Sequence, residues 1–142
     1  MPTNYQESAF RHLRDADYLW NDARHANASQ LYGMGAECAL KAVMIGLGVS
    51  TLPDGSVQRR IHFPNLWNEF MLFASGRLGG KYAAAIQPSS TALTPFSTWD
   101  VAHRYSPDSW LTTQLTEFLL HQNDARDCLA LLELAKGDGV VV

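Results

Sequence analysis

Glu37 and Lys41 stand four residues apart, with the acid nearer the N-terminus, and Gln30 lies two turns earlier on the same line. On a helix that order favours an intrahelical ion pair, worth roughly 0.2–0.5 kcal/mol when exposed. The neighbouring positions are almost all apolar or small, so the strip interrupts an otherwise hydrophobic helix. Charges kept on such a helix need partners. Two uses remain open: a pair that satisfies itself at the edge of the core, or the polar lining of a groove or dimer seam.

A second group is Trp99-Asp100-Val101-Ala102-His103-Arg104-Tyr105. Arginine grips phosphate or carboxylate through a planar fork of donors. Histidine carries protons near neutral pH, and Trp or Tyr can stack on a base. His103, Arg104 and Tyr105 are therefore the catalytic candidates, with His62 beside them as a second histidine. The bland alternative has Trp99 and Tyr105 pinning a loop while Arg104 pairs with a carboxylate such as Glu37. The third group, Arg59-Arg60-Ile61-His62, precedes a helix and could attract an anion or serve as a solvated basic turn. His12 and His121 read as single surface or boundary histidines. Cys38 and Cys128 read as buried free thiols, since two cysteines make neither a disulfide framework nor a zinc site.

Stronger signatures are missing from the sequence. It holds no phosphate-binding glycine loop, no HExxH, no paired CxxC and no GxSxG elbow. No metal site and no cofactor are expected. The formal net charge of −3 argues against broad, charge-driven nucleic-acid binding. An apolar fraction of 46% fits a globular chain, and no apolar run approaches the ~20 residues of a membrane span. No membrane association and a cytoplasmic location are the expectations.

The elements that must position these groups are helical. Thr3 to Gln6 reads as a capping box with Thr3 at the cap, followed by a helix to about Arg24 whose apolar face holds Phe10, Leu13, Trp20 and Ala23, with Ala9 and Ala16 beside them. A turn at 25–29 offers Asn27 or Ser29 as the next cap. The second helix, from about Ala28 to Leu47, has one apolar stripe of Leu31, Met34, Cys38, Ala42 and Ile45 and another of Ala36, Leu40, Val43 and Leu47. A helix apolar on both sides belongs at the centre of a bundle. Gly33, Gly35 and Gly46 weaken its intrinsic propensity, which leaves packing to stabilise it. Pro53 to Ser56 is a turn. Phe63, Leu66, Trp67, Phe70 and Phe73 form the buried face of a third, shorter helix, which Gly76, Gly79 and Gly80 break, and Tyr82 to Ile86 form one further turn or short helix. A long loop over 87–108 precedes a last helix from about Ser109 to Lys136. The predicted class is all-α, a single domain built as a four- to five-helix up-and-down bundle.

These residues resemble a known family. Gln30 to Met44, with its Ala-Glu-x-Ala-Leu-Lys-Ala core, looks like the central helix of HEPN domains. His62-Phe63-Pro64-Asn65-Leu66-Trp67 is similar to the family's His-Asp-Leu start of a third helix, with Pro64 and Asn65 departing from the acidic residue. Arg104-Tyr105-Ser106-Pro107-Asp108 is similar to its Arg-Tyr-Pro-Asp stretch. The three motifs occur in family order over about Phe10 to Ala135. The resemblance implies a HEPN-like bundle that dimerises, often beside a nucleotidyltransferase partner, in toxin–antitoxin, defence or RNA-related systems. Ribonuclease members carry Arg followed by His after four to six residues. No Arg here has that spacing, and after Arg104 those positions hold Ser109, Trp110 and Leu111. The expectation is accordingly a non-catalytic homodimer that binds a nucleotide, RNA or partner protein through Glu37, Lys41, His62, His103, Arg104 and Tyr105. The alternative is a metal-independent RNase or toxin with a displaced His/Arg site. The aromatic segments Trp67–Phe73 and Trp99–Tyr105 support the dimer by leaving apolar surface to cover.

Overall fold

The computed structural model describes residues 1–75, 80–85 and 94–142. They form an all-α fold in which α2 (His25–Gly46) packs between α1 (Tyr5–Asn21) and α6 (Leu115–Gly137). The shorter α3 (Asn65–Ser75), α4 (Gly80–Ala85) and α5 (Asp108–Leu111) lie around this core, with a 3-10 turn at Val101–Tyr105. Among the described residues the one extended pairing is an isolated bridge, Thr51 to Val57, across the Pro53–Ser56 turn. No helix in them is long and apolar enough to cross a membrane.

The central place of α2 follows from its small residues. Ala28, Ala36, Ala39, Leu40 and Val43 are fully buried. At Gly35 an added Cβ would come within 2.7 Å of Leu13 on α1, so the two helices touch where a side chain is missing. The stripe of Leu31, Cys38 and Ile45 is only half-buried and Met34 is exposed, so the second apolar face is open in part.

Helix ends differ from the sequence expectation for local reasons. Asn4, not Thr3, caps α1, its side chain accepting from the Glu7 N–H at 3.0 Å. Thr3 is engaged elsewhere: its N–H donates to the Asp54 carbonyl at 2.7 Å. The turn after α1 is shorter than predicted. Ala23 takes a left-handed φ of 59°, Arg24 donates to Leu19 and Ala23 to Trp20, which is the two-bond C-terminal motif usually built on glycine. Helix α2 therefore starts at His25, and Asn27 and Ser29 lie inside it, not at its cap. The same motif closes α2 at Gly48 as expected. The final helix is divided. The Thr112 and Thr113 hydroxyls donate back to the Ser109 and Trp110 carbonyls, and this local bonding competes with helix continuation.

Trp67, Phe70 and Trp99 are buried within the chain, whereas Leu72, Val101 and Tyr105 of the same segments are exposed. Phe73 is half-buried, and Ala74 takes the deeper place on α3. The predicted break at Gly76 and Gly79, Ile86 of the further turn and residues 87–93 of the long loop lie outside the described residues, and Gly80 opens α4.

Candidate functional site

One cavity of about 440 Å³ joins four separate stretches of chain. Its lining includes His12 from α1, Met34, Glu37 and Cys38 from α2, His62–Pro64 ahead of α3, and Trp99–Val101 with Arg104 around the 3-10 turn. That volume lies in the range of small-molecule sites, as does the mixture of apolar wall and a few convergent polar groups.

The apolar wall depends on Trp99. Its indole N–H donates to the Ser29 carbonyl at 2.9 Å, and its ring lies directly on Gly33, where any Cβ would overlap it. Gln30 fixes the next residue by donating to the Asp100 carbonyl at 2.9 Å. The Asp100 carboxylate then caps the 3-10 turn, accepting from the Ala102 N–H at 2.8 Å. Phe96 anchors the other flank, packed on Phe63 with ring centroids 4.6 Å apart and donating its N–H to Asp124 at 3.0 Å. Trp99 and Asp100 are thereby held on α2, and Phe96 on Phe63 and Asp124, and Arg104 beyond them lines the cavity.

The polar end is built on Glu37. Its Oε1 accepts from Lys41 Nζ at 2.6 Å and from His62 Nδ1 at 2.9 Å. The three side chains grade from inside to outside, with 6% of Lys41, 14% of Glu37 and 69% of His62 exposed. Lys41 also lies 5.6 Å from the Tyr5 ring centroid. Lys41 thus sits behind the carboxylate as its buried counter-ion. A carboxylate accepts only, so Nδ1 of His62 carries a proton, while Nε2 has no hydrogen bond among the described residues.

The structure therefore brings Glu37, His62 and Arg104 to one cavity with Lys41 behind them. It does not bring His103 and Tyr105 to the lining. His103 packs against Trp110, ring centroids 5.1 Å apart, with Nδ1 buried and without a hydrogen bond. Tyr105 is exposed and lies under the Arg104 guanidinium at 4.8 Å. Arg104 has no carboxylate partner among the described residues, so the predicted Arg104–Glu37 pair is not formed although both line the same space. Arg59 pairs instead with Glu69, which accounts for half of the basic turn.

Three features escaped the sequence reading. His121 is not at the surface: it is 1% exposed, held between Ser29 Oγ at 2.7 Å from Nδ1 and Thr98 Oγ1 at 3.0 Å from Nε2. Burial, with His103 nearby, pushes its pKa down to about 4. His12 lines the cavity and is pushed down by burial and by Arg11. Cys38 is half-buried there, and burial together with the Glu37 charge pushes its thiol up to about 11, which keeps it protonated and unreactive. The Gly33–Trp99 seat left a trace in the sequence, in the run of small residues on α2. Among the described residues no group of His, Cys, Asp and Glu could hold a metal ion. Compared with protein-family models, with curated proteins and with solved structures, the chain matches none.

Proposed function

We propose that this chain is a HEPN-like binding domain that takes a nucleotide, or a nucleotide of a short RNA, in the cavity between α2 and the 3-10 turn. The observation that carries the reading is that Glu37, His62 and Arg104, far apart in sequence, line one space walled by Trp99, Phe63 and Met34. Each part of such a ligand has a counterpart. Arg104 supplies a guanidinium with no ion-pair partner among the described residues for a phosphate, the apolar lining, with Met34 exposed, a contact for a base, and His62 a hydrogen-bonding group at the rim. The resemblance of Gln30–Met44 to the central HEPN helix supports the same reading. It also motivates a homodimer and a nucleotidyltransferase partner, which sedimentation and co-purification would test.

Calorimetric titration with a panel of mononucleotides and short RNAs tests the binding directly. Binding is expected in the wild-type chain and at least about tenfold weaker in Arg104→Ala, a loss of one charge-assisted contact. Absence of binding across the panel, or equal binding by the variant, contradicts the proposal.

A second reading, metal-independent RNA cleavage, is favoured by one observation: His62 and Arg104 share the cavity. His62 Nε2 would take the proton of the attacking hydroxyl and Arg104 would neutralise the phosphate. Cleavage of RNA that persists in both His62→Ala and Arg104→Ala would remove that assignment.

A further inference from the structure

The cavity holds a histidine with one nitrogen committed and the other open. His62 Nδ1–H is donated to Glu37 at 2.9 Å, and the ring is mostly exposed. Neutral, its free Nε2 presents a lone pair, which repels a phosphate or carboxylate oxygen. Protonated, the same ring keeps its bond to Glu37 and gains a second N–H, which donates to such an oxygen. One proton therefore changes the rim of the cavity from acceptor to charged donor. We infer that His62 is a proton-linked gate for anionic ligands: the cavity binds a phosphodiester or similar monoanion more tightly as His62 becomes protonated, with Glu37 holding the ring in place. This inference rests on the binding reading above and adds its regulation.

The charges around the ring are consistent with a gate of this sign. From α2, Glu37 faces Nδ1 and is itself neutralised by Lys41, so it holds the imidazole without adding a full negative charge to the cavity. From the 3-10 turn come Arg104, which attracts an anion, and Asp100, whose Oδ1 is occupied by the Ala102 N–H. From α1 comes His12, the other histidine of the lining, pushed down by burial and Arg11. Cys38 remains a neutral thiol. Histidine is the side chain whose ordinary titration falls between about pH 5 and 8, and a bound anion stabilises its protonated form. By linkage, the anion then binds more tightly at lower pH.

The deoxydinucleotide d(ApA) is a suitable probe. Its single phosphodiester keeps one charge across this range, and without a 2′-hydroxyl it cannot undergo hydroxyl-driven cleavage. Titrated by calorimetry, it should bind roughly three- to tenfold more tightly at about pH 5.5 than at about pH 7.5. In His62→Gln the affinity should be equal at the two values. Because His62 is mostly exposed, the variant should melt like the wild type, which a thermal scan at both pH values verifies. Binding that is independent of pH, or a slope that survives in His62→Gln, overturns the gate and leaves the binding reading standing. No binding at either pH overturns both.

Discussion

Two histidines of this protein are each held against α2, and they are held in opposite ways. His121 is enclosed. The single Thr98 hydroxyl proton goes to Glu117 at 2.9 Å, so Thr98 accepts from His121 Nε2–H, and Ser29 donates to Nδ1. Both ring nitrogens are used, and the imidazole is neutral and fixed. His62 has Nδ1–H tied to Glu37 while Nε2 has no hydrogen bond among the described residues, and the ring lines the cavity. A ring with both nitrogens satisfied inside the protein contributes to stability. A ring with one nitrogen tethered and one open is able to act on a ligand. Residue type alone does not separate the two roles; hydrogen-bond saturation does.

The tether itself offers the largest test. Glu37→Ala would leave Lys41 buried without its carboxylate, and removing one partner of such a pair costs about 3–5 kcal/mol. Chemical denaturation should show that loss, whereas His62→Gln, at the exposed end of the same network, should change stability by less than about 0.5 kcal/mol. If the two variants were equally damaging, the inside-to-outside grading of the cluster would be refuted.

Acid should act on the enclosed histidine next. The folded chain holds His121 at about 4 against 6.5 for the free side chain, so folding resists its protonation. Stability is fully present above pH 6.5 and is lost as pH falls towards 4, by on the order of 3 kcal/mol. His121→Gln should flatten that decline and His62→Gln should leave it in place. A decline unchanged by His121→Gln would place the acid sensitivity elsewhere.

Gly33 gives a smaller effect of informative sign. In a helix interior, Gly to Ala ordinarily stabilises by up to ~1 kcal/mol. Here the new methyl would overlap the Trp99 ring, so Gly33→Ala should instead destabilise by about 1–3 kcal/mol and alter tryptophan fluorescence. Stabilisation would show that Trp99 is not seated on α2.

The same contrast explains what was legible in the sequence. The central helix and its Glu37–Lys41 strip were legible because helical periodicity is written locally. Glycines 33 and 35 were read as weaknesses in α2. They are the points where Trp99 and Leu13 approach it, and spacing does not name the incoming side chain. The last helix carries an apolar heptad across Thr112 and Thr113, but hydroxyl back-bonding divides it there. His121 looked peripheral because neither Ser29 nor Thr98 is near it in sequence. The meeting of Glu37 with His62 bridges twenty-five residues and a turn, and nothing in the spacing announces it. The grouping of Arg104 with Glu37 was legible from charge, while the facing of His103 toward Trp110 depended on the geometry of the 3-10 turn.

The central claim is that His62 is the open histidine of a ligand cavity and His121 the closed one. Nitrogen-15 NMR of the histidine rings, followed as a mononucleotide is added, tests it most directly. The predicted result is an Nδ1–H tautomer for His62 and an Nε2–H tautomer for His121, with ligand moving the His62 signals and leaving those of His121 in place. Signals from His62 that stay fixed at saturating nucleotide, or that move no more than those of His121, would contradict the account.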